Sequence, residues 1–106
     1  MAWAFLVLAG LLEIGFAVGL KLSNGFSHLG PGAVAISTGL ASVVLLSFAL
    51  RTLPIGTGYA VWTGIGAAGT AIVGMAFLGD STSPTRLVCI TLIMAGVIGL
   101  KFVPEF

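Results

Sequence analysis

The chain has 106 residues, 58% of them hydrophobic and only 7% charged, with a net charge of +1 and a mean hydropathy of +1.23. An ordinary soluble domain carries about a quarter charged residues, so this composition excludes one and reads as a membrane protein. Nucleic acid is not among the expected partners, and the lipid bilayer is.

Polar punctuation marks off four apolar segments, at residues 2–20, 32–50, 57–78 and 85–103. Each spans roughly 20 residues, enough at about 1.5 Å per residue to cross a hydrocarbon core of about 30 Å. The expected architecture is an all-α membrane protein in which one domain of four transmembrane helices covers residues 1–106. A soluble bundle would need a polar stripe on each helix, and a transmembrane barrel would need strict alternation; neither is present.

The first segment carries Glu13 in the middle of LLEIGFAVGL. It lacks a basic leader and is too long for the apolar region of a signal peptide, so it reads as a span. Glu13 stands about 17 Å along the helix, near the bilayer midplane. It is the only acid in any segment, because Asp80 falls in a loop and Glu105 in the tail. A charge at that depth costs about 2.5 to 3.5 kcal/mol on insertion scales, so such a residue is normally kept where it faces a polar cavity and acts. A permanently protonated Glu bonded between helices is the competing reading. Leu6, Ala9, Gly10, Phe16, Ala17 and Leu20 share the Glu13 face by helical spacing. Gly15 and Gly19 form a GxxxG spacing that permits close helix contact.

The connection KLSNGFSHLGP holds an Asn24-Gly25 pair suited to positive φ and a Pro31 at which a helix can begin. The second segment offers Ser42. After RTLPIG, the third segment carries Tyr59, Trp62 and Thr63; Tyr59 and Trp62 are three apart and so share a face. A carboxylate with such aromatic neighbours suits a cation, whereas an interfacial aromatic belt is the other reading of the pair. Gly64 and Gly66 lower the cost of a bend and are the candidate hinge. After GDSTSP, the fourth segment holds the lone Cys89, most simply a small packing residue, and the pair Ala95 and Gly99. The loops are too small to hold a domain, so the activity is expected inside the membrane. No Cys/His ligand cluster, GxGxxG fingerprint or P-loop occurs, and His28 reads as a loop residue. No metal, cofactor or enzymatic chemistry is expected.

With four spans both termini share a side. Arg51 and Lys101 then face one compartment, and Lys21 and Arg86 face the other. The Lys/Arg difference that sets orientation is absent, so the simplest inference is insertion both ways; a small uncounted bias is the alternative. Four helices are few for two alternately open gates. Two inverted copies would supply the inverted halves on which many transporters are built, and the expected functional unit is therefore an antiparallel, dual-topology homodimer.

The lone acid within LLEIGFAVGLK, the SNGFSHLGP loop, the LPIGTGYAVWTGIG stretch and the AGVIGLK end together resemble the small multidrug resistance family over essentially the whole length. TLPIGT followed by YAVWTGIG and a terminal GLK resemble its guanidinium-exporter subtype more than its quaternary-ammonium subtype. The resemblance implies a multi-pass bacterial inner-membrane protein that exports guanidinium, and substituted guanidinyl cations, in exchange for protons. Export of quaternary ammonium or other drug cations is the alternative. By the same resemblance Glu13 matches the essential carboxylate, completed by its copy in the partner. Gly10, Ser42 and Trp62 match positions that shape and hydrogen-bond around it, and Tyr59 matches an aromatic at the gate or pocket. One position departs: the subtype typically has Trp where this chain has Phe16, which keeps the ring but lacks the indole donor.

The charge arithmetic of such a site is simple. Two carboxylates at one site titrate as a coupled pair. A planar guanidinium satisfies carboxylates through parallel N–H donors, so protons and cation compete for the same oxygens. A lipid or polyamine carrier of the same fold would ignore small guanidinyl compounds, and a structural subunit would not need the buried acid. Because Lys and Arg are balanced across the two sides, two or three Lys residues added after Phe106 should drive the population toward one orientation. Accessibility labelling of the termini checks this; a wild type already in a single orientation would remove the dual-topology expectation.

Overall fold

Backbone amides in hydrocarbon have no water to bond, so each apolar segment must close its own hydrogen bonds as a helix. The computed structural model describes residues 1–103, leaving Pro104, Glu105 and Phe106 outside the described residues. It contains α1 (Ala2–Leu22), α2 (Leu29–Ala49), α3 (Ile55–Phe77) and α4 (Pro84–Phe102). All four are long and apolar enough to cross a membrane.

The last three helices begin slightly ahead of the residues 32, 57 and 85 expected from the sequence. α2 begins at Leu29, ahead of Pro31, because a proline in the first turn removes only an N–H that has no intrahelical partner anyway. α3 starts directly after Pro54, whose extended backbone caps it. α4 has Pro84 in its first turn, and the Ser83 hydroxyl accepts from the Arg86 N–H at 3.3 Å. α3 closes through Gly79 at φ +77°, which lets the Asp80 N–H return to the Gly74 carbonyl at 3.0 Å.

The α1–α2 loop turns through Asn24, Gly25 and Phe26, with φ of 48°, 72° and 65°. The fully buried Ser23 holds this left-handed run in place. Its hydroxyl donates to the Leu20 carbonyl at 2.8 Å and accepts from the Phe26 N–H at 3.1 Å. Its carbonyl accepts from the His28 N–H at 3.0 Å.

The helices form a row rather than a closed bundle. α1 packs broadly on α2 and next on α3, α4 lies against α3, and α2 and α3 scarcely meet. The spatial order is therefore α2, α1, α3, α4. The molecule measures 45 × 34 × 16 Å, wider than it is thick, as expected for helices set side by side at about 8–10 Å. Leu6, Ala9, Leu46, Ala49, Leu53 and Val61 form the buried core. Near the termini, Lys101 Nζ lies 4.7 Å from the centroid of the Trp3 ring and Arg51 Cζ lies 5.6 Å from that of Phe48. α4 has no buried residue of its own.

Gly15 and Gly19 serve the α1–α2 contact. A Cβ on Gly15 would meet the Thr38 side chain at 3.2 Å, whereas one on Gly19 would meet the Ala35 backbone nitrogen at 2.9 Å and the Pro31 carbonyl at 3.0 Å. A side chain can turn aside; two backbone atoms cannot. Gly19→Ala should therefore lower stability by about 1–3 kcal/mol, the usual cost of overpacking, and Gly15→Ala by less. Denaturant unfolding in detergent micelles measures the difference.

Candidate functional site

Glu13 occupies the middle of α1, the one helix with broad contacts on both sides. Its methylene groups lie against Gly66 of α3, where an added Cβ would come within 2.5 Å of Cγ. Only glycine at this crossing lets the acid stand so near the α3 backbone. The Asp80–Arg86 pair, at 3.4 Å, is the one ion pair among the described residues, and it lies at the α3–α4 loop. No basic side chain there neutralises Glu13.

Beside the acid, a hydrogen-bond relay crosses three helices. The Trp62 indole Nε1 of α3 donates to Ser42 Oγ of α2 at 2.9 Å, and Ser42 Oγ donates to the Ala9 carbonyl of α1 at 2.7 Å. Ser42 is fully buried, so its one hydroxyl uses both its donor and an acceptor site within the protein. The relay fixes the Trp62 ring, and Tyr59 leans on that ring at 5.2 Å between centroids, tilted by 58°.

Glu13 and Trp62 stand at the boundary of two open cavities. One, of about 420 Å³, is bounded by Glu13, Tyr59, Trp62, Thr63, Gly66 and Thr70, with Ala17 and Ala67 between them. The other, of about 320 Å³, lies on the α2 side and is bounded by Glu13, Trp62, Phe16 and the apolar Ile36, Leu40 and Val43. The first has hydroxyls and aromatic rings around a carboxylate, a set suited to a cation with N–H groups; the second is suited to apolar substituents. Among the described residues no group of three His, Cys, Asp or Glu side chains comes together as a metal cluster.

The Small Multidrug Resistance protein family matches residues 1–93 of the chain. The chain belongs to the small multidrug resistance family. Its relatives include proteins named Guanidinium exporter, and each alignment covers 101 residues and 95% of this chain. The one from Citrobacter freundii is 54% identical with 96% of its own length covered. Those from Salmonella typhi and Yersinia pseudotuberculosis are 55% and 56% identical, with 96% and 97% covered. With four helices able to span a bilayer, this family member is a multi-pass protein of the bacterial inner membrane.

Of the residues singled out from the sequence, Glu13, Phe16, Tyr59 and Trp62 line one or both cavities, and Ser42 bonds to Trp62 from behind. Gly10 is instead buried against the side chain of Ile65. Gly66 meets Glu13, and Gly64 meets Val97 of α4, so both glycines of the candidate hinge serve close helix approach. Sequence reasoning passed over the Ala9 carbonyl, which no side-chain pattern reveals, and Thr70. Thr70 could have been found by carrying the Tyr59, Thr63 and Gly66 face one turn further.

Ser42→Ala removes the relay's central hydroxyl and leaves the Trp62 N–H and the Ala9 carbonyl without it. Stability should fall by about 1–3 kcal/mol, the cost of unsatisfied buried groups, and the Trp62 emission should shift. Thermal unfolding together with fluorescence in a Trp3→Phe background measures both.

Proposed function

We propose that this protein exports guanidinium, and guanidinyl cations with apolar substituents, across the inner membrane in exchange for protons. The observation that carries the reading is an acid at mid-helix depth, without a basic partner among the described residues, facing a cavity walled by Tyr59, Trp62 and Thr63. Identity of 54–56% to proteins named Guanidinium exporter supports the substrate class.

In this reading Glu13 binds either protons or the cation. Guanidinium offers parallel N–H donors to its oxygens while the Trp62 and Tyr59 rings face the cation's flat surface. Ser42 is a positioning residue: it occupies the indole N–H and so sets the Trp62 ring angle. Gly10 holds α1 close to α3, and the helix glycines Gly64 and Gly66 give α3 the freedom to bend as access alternates. No covalent step is required, so the protein acts as a carrier and not as an enzyme.

The functional unit in this proposal is an antiparallel, dual-topology homodimer, with Glu13 of each copy at a shared site. Three features support it. Lys and Arg are balanced between the two sides, α4 has no buried residue within the chain, and Gly96 and Gly99 of α4 have open space where a Cβ would stand. Small residues on an uncovered membrane helix suit close packing by another helix.

One observation favours a second reading, export of quaternary ammonium cations. Phe16 has no donor, and it borders the apolar cavity with Ile36, Leu40 and Val43. An ammonium without N–H gains from such apolar and ring contact.

Proteoliposomes loaded with a proton gradient distinguish the two. Guanidinium should accumulate in exchange for protons. Glu13→Gln should abolish both uptake and proton release without loss of insertion, and Glu13→Asp should retain exchange at a displaced pH optimum. Proton-coupled uptake that survives in Glu13→Gln sinks the role of the acid. Robust transport of tetrapropylammonium with no guanidinium uptake replaces the first reading with the second.

A further inference from the structure

The cavity beside Glu13 contains a polar side chain that the exchange described above does not use. Thr70 lies on α3 four residues beyond Gly66, the residue packed against Glu13, and seven beyond Thr63, so all three share one helix face. Ala17 stands at the matching step on α1, four residues beyond Glu13. α1 and α3 run in the same direction, so the Ala17–Thr70 level lies one turn, about 5.4 Å, from the carboxylate toward the α1–α2 and α3–α4 loops.

The Thr70 hydroxyl oxygen is fully covered and has no hydrogen-bond partner among the described residues. Other helix hydroxyls in this protein use the carbonyl four residues back: Ser37 to Ala33 at 2.8 Å, Thr38 to Val34 at 2.7 Å and Thr91 to Leu87 at 2.8 Å. Thr70 does not bond to Gly66 in this way. Its neighbours in the cavity wall, Ala17 and Ala67, have no side-chain polar group to offer. A covered hydroxyl without a partner is costly. In this conformation the covered oxygen does not open onto the cavity; a χ1 change carries a helical threonine oxygen to another side of the residue, and it is the rotated hydroxyl that meets a donor in the cavity.

We propose that Thr70 is a specificity-determining residue, its hydroxyl accepting an N–H of the guanidinyl cation one turn from Glu13 on the side of the α1–α2 loop. The inference rests on the exporter reading above. Guanidinium has more N–H groups than the two Glu13 carboxylates of the proposed dimer have oxygens, and each surplus donor needs an acceptor once the ion leaves water. Thr70 supplies one where the surrounding wall is apolar. A cation without N–H gains nothing from it, so the residue sorts substrates by donor count.

The test compares guanidinium with tetramethylguanidinium, which keeps the charge and loses most of its N–H groups, in proteoliposomes of the wild type, Thr70→Val and Thr70→Ser. Thr70→Val should raise the KM for guanidinium about five-fold, the effect of one ordinary hydrogen bond. The KM for tetramethylguanidinium should stay close to wild type, and the melting temperature should not fall, since the hydroxyl removed has no partner in the protein. Thr70→Ser should restore the guanidinium KM. Thr70→Ala, which drops the hydroxyl without adding bulk, repeats the comparison if valine disturbs the α1–α3 contact. An unchanged guanidinium KM in the hydroxyl-free variants, or an equal rise for both cations, overturns the role of Thr70 while leaving the exporter reading intact. Wild-type protein that moves neither cation overturns the exporter reading itself.

Discussion

Inside a bilayer a polar side chain has little but protein to bond, and Ser42 meets that requirement for three helices at once. Its hydroxyl takes the Trp62 N–H from α3 and gives its own proton to the Ala9 carbonyl on α1. α2 and α3 scarcely meet otherwise, so this pair of bonds is a principal tie between the outer helices of that trio. The tie lies one helical turn before Glu13, and it determines how far apart the walls stand around the acid. The Trp62 ring angle, the lean of Tyr59 and the division of space into a polar and an apolar cavity all depend on it.

Much of the fold was legible because hydrocarbon imposes so few choices. Four apolar runs of sufficient length can be little else than helices, and a single acid at mid-span announces a site by its cost. Helix starts were harder to read: Pro31 looked like a boundary, yet a first-turn proline is compatible with a helix that has already begun. Which residue faces which was legible only where polar and aromatic side chains marked a face, as with Glu13, Tyr59 and Trp62. In a soluble helix the buried face is apolar and the other polar, whereas here the lipid-facing and protein-facing sides are both apolar and periodicity carries little signal. The sequence therefore does not reveal that Gly10 packs on Ile65, or that Gly64 and Gly66 each admit a neighbour's side chain. The Ala9 carbonyl could not be read at all, since every residue has one.

The ends of the helices use their few charges economically. Lys101 and Arg51 lie against aromatic rings on the side of the termini, where a long cationic side chain can keep its head near water and its stem in the apolar layer. On the opposite side Asp80 pairs with Arg86 at 3.4 Å and packs against Gly74, joining the end of α3 to the start of α4. The Asp80–Arg86 pair is partly exposed and adds little stability by itself. The effect of these contacts is local: Lys101 ties the end of α4 to the start of α1, and Asp80 with Arg86 ties the end of α3 to the start of α4.

The exposure of α4 also bears on how the chain comes together during synthesis. The buried core is drawn from α1, α2, the α2–α3 connection and α3, and no residue of α4 is buried. Because N-terminal segments emerge first, the first three helices can find their mutual contacts before the fourth leaves the ribosome. The last helix then docks as an addition to a finished platform, held by α3 along one side. Errors in its sequence would leave that platform standing, and their consequences would surface only after the first three helices had found their places.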